Sequence, residues 1–185
     1  MIKRLFDFTA AGLGLLVLAP VIGCLALLIR RDSPGPAIFA QKRVGREGRV
    51  FTCFKLRTMR SDTPDLPTHL ASASSITRLG AVLRRTKLDE LPQLWNVLWG
   101  EMSLVGPRPC LPTQELLVEE RRARGVLALR PGITGLAQVD GIDMSDPVRL
   151  ARRDADYLQS ASFAGDILLL FKTFLGRGGG DRVRI

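Results

Sequence analysis

One histidine, His69, stands in the whole of the 185 residues, and that scarcity removes a good deal of chemistry. A Ser-His-Asp triad would have to use His69 itself as its base, and His69 lies in a polar segment better suited to a surface role. Cysteine is scarce too. Cys24, Cys53 and Cys110 are odd in number, form no CxxC pair and lack zinc-ligand spacing, so they read as inert thiols in a reducing compartment. Aromatic residues make up only 6%, and no basic stripe is interleaved with stacking aromatics, which argues against a nucleic-acid binder. There is no Walker A loop and no internal repeat. The glycines of GRGGG near the C-terminus meet part of a dinucleotide pattern but lack its strand–turn–helix context.

Acidic residues are outnumbered, with 27 Lys+Arg against 18 Asp+Glu and a formal net charge of +9. The surplus points to an anionic partner: nucleic acid, a phosphorylated substrate or acidic lipid headgroups. Charge is missing altogether from Thr9 to Ile29, 21 residues long enough as a helix to reach across a hydrocarbon core of about 30 Å. More apolar sequence follows Leu18-Ala19-Pro20, so a cleaved signal peptide is not expected. A buried soluble helix is the alternative to membrane insertion. Lys3 and Arg4 precede the run and Arg30 and Arg31 follow it, so the positive-inside bias favours neither end. Pro20 removes a backbone hydrogen bond near the middle. A kinked span and a re-entrant helix–break–helix at Ala19-Pro20 are both open, and the charge symmetry leans toward the re-entrant form.

Asp32-Ser33-Pro34-Gly35-Pro36 stops the helix. A hairpin is expected next, with Ile38 to Val44 and Arg49 to Met59 as arms and Gly45 to Gly48 as the turn. Seven cations and one acid lie between Lys42 and Arg60, on a solvated face or against lipid headgroups. Lys55 and Arg57 have a third option, pointing inward to a substrate phosphate. Ser61 to Ser75 is polar and proline-punctuated and reads as a loop, the natural place for a lid.

Ile76 to Trp99 reads as mostly helical, bent by Pro92, with Trp95 and Trp99 on one side for core packing or interfacial anchoring. The stretch from Lys87 to Pro109, KLDELPQLWNVLWGEMSLVGPRP, is the centre of the chain. Its adjacent carboxylates Asp89 and Glu90 come after Arg84, Arg85 and Lys87, and Arg108 sits between two prolines that restrict its backbone. A solvated helix face is the ordinary explanation of such a pair. The surrounding cations suggest chemistry on an anion, with phosphate the best guess. Met102 to Pro109 reads as extended, Pro112 to Leu129 as an exposed amphipathic helix, and Arg130 to Gly135 as a tight turn. Asp146-Pro147 opens a helix to about Gln159, Asp166 to Leu175 is a last apolar helix, and Gly176 to Ile185 a frayed tail.

In this order the motifs resemble the bacterial sugar transferases, the monotopic polyprenol-phosphate phosphoglycosyl transferases. The likeness covers nearly the whole chain: KRLFDFTAAGLGLLVLAP, SPGPAIFAQKRVG, FKLRTM, ITRLGAVLRRTKLDELPQLWNVLWGEMSLVGPRP, RPGITGLAQVDG and DADYLQSASFAGDILLLFKT. The length resembles the family's minimal catalytic unit. The resemblance implies transfer of a phospho-sugar from a UDP-sugar to undecaprenyl phosphate with release of UMP, the first membrane step in polysaccharide, O-antigen or glycoprotein glycan assembly. It implies Asp89 as the nucleophile that forms an aspartyl-phosphosugar, and Glu90 as its neighbour that holds Mg²⁺ with it or assists the second half-reaction. Lys55, Arg57 and Arg108 match motif positions and are expected to contact phosphate or nucleotide; Arg85 and Arg130 join them as candidate substrate-binding cations. Membrane lipids and other enzymes of a glycan pathway are the implied partners, nucleic acid is not, and the implied place is the cytoplasmic face of the bacterial inner membrane.

Two departures stand out. Many members have Ser-Pro at the membrane break, where this chain has Ala19-Pro20. Many also carry an arginine after the AQV segment, where Gly141-Ile142 stands here, so Arg149, Arg130 or another cation would have to serve. The expected fold is α+β and mostly helical, a single domain with a membrane-embedded element at 1–31, a catalytic unit at 32–185 carrying interfacial amphipathic helices, and a small β-hairpin. The rivals are a noncatalytic membrane-tethered binder of anionic ligands and a scaffold for glycan assembly.

Overall fold

The N-terminal apolar run folds as one helix, α1 (Ile2–Asp32), in the computed structural model, which describes residues 2–61, 63 and 75–176. By length and composition α1 is able to cross a membrane. The expected break does not interrupt it: the helix continues through Ala19 and Pro20, a proline being able to bend a helix at the cost of one hydrogen bond without ending it. Leu13, Leu16, Val17, Val21 and Leu27 are exposed on its surface. Elsewhere it docks. Gly12 and Gly14 leave room for Leu98 and Leu94, and Ile22, Leu25, Ala26 and Ile29 pack with Leu56 and Leu83.

Both ends of α1 are tied to the rest of the chain. At the start, Lys3 pairs with Asp166, and Arg4 donates to the carbonyls of Val97 and Leu98 at 2.6 and 2.9 Å. At the far end, Arg57 donates to the carbonyls of Ser33 and Pro34, the two residues just past the helix, each at 2.6 Å.

The hairpin forms as expected, β1 (Ile38–Val44) antiparallel to β2 (Val50–Leu56), with Ile38 opposite Leu56 and Val44 opposite Val50. Its inward residues Phe51 and Cys53 meet Val97 and Met102. The helical stretch after the loop divides into α2 (Arg78–Thr86), a 3₁₀ turn (Leu88–Glu90) and α3 (Gln93–Trp99), with Pro92 at the N-cap of α3. Asn96, fully buried, ties α3 to the edge of β2: its Oδ1 accepts from Phe54 N at 3.1 Å and its Nδ2 donates to Thr52 O at 2.7 Å.

A second pair of strands is not foreshadowed in the sequence. β3 (Ser103–Val105) and β4 (Gly132–Thr134) run parallel, the latter within the segment that reads as a tight turn. Three-residue strands are too short to show alternation, and Pro131-Gly132 reads as punctuation. Glycine is needed here because a Cβ on Gly132 would lie 2.1 Å from the nitrogen of Gly106. The expected helix from Pro112 to Leu129 is shorter: α4 (Glu115–Ala123) ends before Gly125, whose φ of 73° is left-handed, and a 3₁₀ turn (Val126–Ala128) comes next.

The short α5 (Leu136–Val139) leads to α6 (Pro147–Ser160) and α7 (Phe163–Phe174). Asp146 caps α6 by accepting from Arg149 N at 3.1 Å, with Pro147 in the first turn as expected. Asp146→Ala should therefore cost about 1 kcal/mol, read as a shift in the denaturation midpoint. Ile167, Leu168, Phe171 and Phe174 of α7 are exposed, and Phe163 meets Phe6 of α1 edge-on at 5.3 Å. Trp95 and Trp99 lie 5.3 Å apart on α3 and are exposed, so they are not core. Cys53 and Cys110 are buried free thiols, and Cys24 is exposed. The lid expected at Ser61 to Ser75, with His69, and the tail expected at 176–185 lie, save residues 61, 63, 75 and 176, outside the described residues.

Candidate active site

The chain turns sharply just ahead of the two carboxylates. Lys87 ends α2 with φ 59°, a left-handed conformation that costs a residue with a side chain on the order of 1 kcal/mol. Its N–H closes on the carbonyl of Arg84 at 3.2 Å. The next turn, a 3₁₀ turn, brings Asp89 inward, to 8% exposure, and sets Glu90 against the hairpin. Glu90 Oε1 accepts from Lys55 Nζ of β2 at 3.1 Å and from Arg108 Nη2 at 2.9 Å. Arg84 is held nearby, its Nε donating to Thr58 Oγ1 at 2.8 Å.

These surroundings push the two acids apart. Burial raises the Asp89 carboxyl to about 6, the Glu90 charge adds to the rise, and Lys55, Arg84 and Arg108 oppose it. For Glu90 burial also works upward, but Lys55 and Arg108 outweigh it by charge and hydrogen bond and bring it down to about 2. Glu90 is thus a fixed anion neutralised by two cations, while Asp89 is a carboxylate held at some cost in its charged form. Such a pair divides roles cleanly.

Arg108 is carried by backbone that is held at every residue. Pro107 and Pro109 have no N–H, and the carbonyls of this segment accept from four different places. Gly132 N donates to Pro107 O at 2.8 Å, Arg121 Nη1 to Arg108 O at 2.9 Å, Arg43 Nη1 to Pro109 O at 3.0 Å and Val44 N to Cys110 O at 2.8 Å. Arg121 is itself clamped by Asp154, whose Oδ2 accepts from Nε at 2.9 Å and Nη2 at 2.7 Å, both residues being buried. In sequence Arg121 reads as one of an exposed run of arginines; in the fold it is 3% exposed.

Of the cations expected around the phosphate, Lys55 and Arg108 converge on Glu90. Arg57 is buried and spends its Nη groups on the carbonyls that end α1. Arg85 is exposed in the last turn of α2. Arg130 lies at the opposite end of α3, donating to Gly100 O at 2.8 Å. Ile142 packs against the core cluster of Leu117, Met144 and Leu150. Sequence reasoning missed Arg121, Asp154 and Asn96, whose roles depend on partners 33 to 44 residues away in the chain.

For a metal, the described residues offer no cluster of three ligating side chains. Asp89 and Glu90 are adjacent oxygen donors. That set suits Mg²⁺, which takes one or two carboxylates and fills its remaining positions with water and substrate phosphates.

The wider likeness agrees with this arrangement. A family model described as bacterial sugar transferase matches residues 1–177. An undecaprenyl-phosphate glucose phosphotransferase of Komagataeibacter xylinus is 43% identical over 186 residues, which cover 92% of this chain and 35% of that protein. A UDP-glucose:undecaprenyl-phosphate glucose-1-phosphate transferase of Caulobacter vibrioides is 42% identical, over 92% of this chain and 67% of its own length. Exopolysaccharide production protein PSS of Rhizobium leguminosarum bv. phaseoli is 41% identical, over 94% and 93%. The chain spans only about a third of the first and two thirds of the second. With the match running through α1, the carboxylate pair and the Arg108 segment alike, the chain belongs to the bacterial sugar transferase family.

Proposed function

We propose that the chain transfers a phospho-sugar from a UDP-sugar to undecaprenyl phosphate, in two steps through Asp89. The observation that carries this is the geometry of the pair: a buried carboxylate, Asp89, beside a second, Glu90, held by Lys55 at 3.1 Å and Arg108 at 2.9 Å. In the first step an Asp89 oxygen attacks the β-phosphorus, the bond from that phosphorus to the bridging oxygen breaks, and UMP leaves with the electron pair. In the second, an oxygen of undecaprenyl phosphate attacks the same phosphorus and Asp89 departs as carboxylate. Neither step needs a general base, which accords with a site built from carboxylates and cations.

Lys55 and Arg108 stand where they can share their charge between Glu90 and the diphosphate, and Arg84 adds a third cation. Arg57 supports the site from behind by holding the end of α1. Asp89 and Glu90 would hold Mg²⁺, which supplies charge neutralisation at the diphosphate. Purified protein given undecaprenyl phosphate and a panel of UDP-hexoses and UDP-N-acetylhexosamines should release UMP with at least one donor. Release with none would refute the reading.

Only ionised Asp89 is a nucleophile; without metal, burial raises its carboxyl to about 6, and a bound cation would draw that value down. UMP release should therefore be level above pH about 6 and, once the carboxyl protonates below it, fall about tenfold per pH unit. A profile flat down to pH about 4 would contradict this assignment.

The same reading makes α1 re-entrant, at the cytoplasmic face of the inner membrane. A straight helix of its 31 residues is about 46 Å long. Its start is tied to Asp166 and Val97, its end to Arg57, and a spanning helix would carry those two ends to opposite faces. Cysteines placed at Leu5 and Arg31 in a background without the native thiols should react from one side of sealed vesicles. Reaction from opposite sides would establish a span instead.

A further inference from the structure

The far end of α3 opens on a cleft of about 310 Å³, away from the carboxylate pair. Lys3, Arg4, Arg46 and Arg130 line it, together with Asp7 and Ser103. Four cations from three separate stretches thus share the space with a single carboxylate. Asp7 is already engaged, accepting from Ser103 Oγ at 2.8 Å and from Leu104 N at 3.1 Å. Lys3 is paired with Asp166, and Arg46 lies 3.6 Å from Glu47 on the exposed turn of the hairpin. Arg4 and Arg130 meet the carbonyl end of α3, where a helix concentrates negative partial charge, through Val97, Leu98 and Gly100. Burial, with Arg4 and Arg46 close by, nonetheless lowers the Arg130 pKa, so the guanidinium groups repel one another across the cleft.

Val105, Ala128 and Leu129 add apolar lining. Trp99, one residue before the Gly100 whose carbonyl accepts from Arg130, is 62% exposed. A cationic hollow with apolar lining, on a chain whose first helix is able to cross a membrane, suits a ligand with a phosphate at one end and acyl chains at the other. The length of α3, about 10 Å, separates it from Asp89.

We propose that this cleft binds the phosphodiester headgroup of an anionic membrane lipid, at a site distinct from the reacting carboxylate. The proposal rests on the membrane reading of α1. The bound phosphate neutralises Arg46 and Arg130 and fixes the height of α3, and with it the active site, relative to the bilayer surface.

Trp99 reports on the site. In a Trp95→Phe background it is the sole indole, since the chain has two tryptophans. The full chain would be placed in mixed micelles carrying phosphatidylglycerol or phosphatidylcholine with brominated acyl chains, and Trp99 quenching monitored. Half-quenching by phosphatidylglycerol should need roughly fivefold less lipid than quenching by phosphatidylcholine. That preference should shrink toward unity in Arg46→Gln and in Arg46→Gln/Arg130→Gln. Arg46→Gln suffices alone should the double variant fail to fold, because Arg46 sits on an exposed turn. Arg152→Gln removes the same charge from an exposed position on α6 and should leave the preference intact.

Equal quenching by both lipids, or a preference that survives both variants, would overturn the proposal. So would equal losses in Arg46→Gln and Arg152→Gln, which would reduce the effect to net charge. Inorganic phosphate that erased the preference would assign the cleft to free phosphate in place of lipid. An Asp89→Asn protein should keep the preference, so a cleft without it in a protein that still releases UMP would sink this inference alone. No quenching by either lipid would remove the membrane reading as well.

Discussion

Asp89→Asn should abolish UMP release, by about 10,000-fold or more, and yet melt at a higher temperature than the wild type at neutral pH. The two effects have one cause. The Asp89 carboxyl is raised from 3.8 to about 6 because burial, aided by the Glu90 charge, disfavours its ionised form. Below pH about 4 the group is protonated in folded and unfolded chains alike and costs nothing. As pH rises from about 4 to about 6 the unfolded chain gives up this proton in water while the folded chain holds it back, and about 3 kcal/mol of stability is lost across that window. Asparagine removes the carboxyl, so the gain should grow from pH about 4 and be complete above about 6. Glu90→Gln has the opposite sign. Its lowered pKa means the ionised form contributes stability above about 4.5, which is lost as pH falls toward about 2, so the substitution should weaken the fold at neutral pH. Thermal melts of both variants across pH would test the pair. A lower melting temperature for Asp89→Asn at pH 7 would contradict the picture of a carboxylate held charged against its surroundings.

Much of this site is legible in the sequence because it is local. Asp89, Glu90 and Lys87 are neighbours, and the prolines about Arg108 announce a restricted backbone before any fold is known. The hairpin around Gly45 to Gly48 and the Asp146-Pro147 helix start come from turn and cap chemistry in the same way. The features that could not be read depend on distant partners. Arg121 looks like any arginine of a charged helix until Asp154, in another helix, is folded against it. Arg57 and Arg130 are expected among the substrate-binding cations, but in the fold one holds the end of α1 and the other meets the end of α3. The parallel pairing of β3 with β4 leaves no periodic trace in strands of three residues.

Arg121→Met should cost about 3–5 kcal/mol, because it leaves Asp154 buried without its cation. It should also lower kcat by up to about a hundredfold, since Arg108 O loses its donor and the guanidinium on Glu90 loses its fixed position. The double variant Arg121→Met/Asp154→Leu separates the two. Replacing a buried ion pair with apolar side chains of similar bulk restores stability, whereas the Arg108 carbonyl remains unheld. Recovery of the melting temperature without recovery of kcat would establish Arg121 as a positioning residue for Arg108. Full recovery of both would make the pair purely structural.

The most direct measurement is on the protein caught between the two half-reactions. Incubated with a labelled UDP-sugar and no undecaprenyl phosphate, then quenched and digested, it should yield one peptide heavier by a sugar phosphate, with fragmentation placing the added mass on Asp89. Adding undecaprenyl phosphate before the quench should discharge it. Lipid-linked product that accumulates while every peptide containing Asp89 stays unmodified would contradict the account.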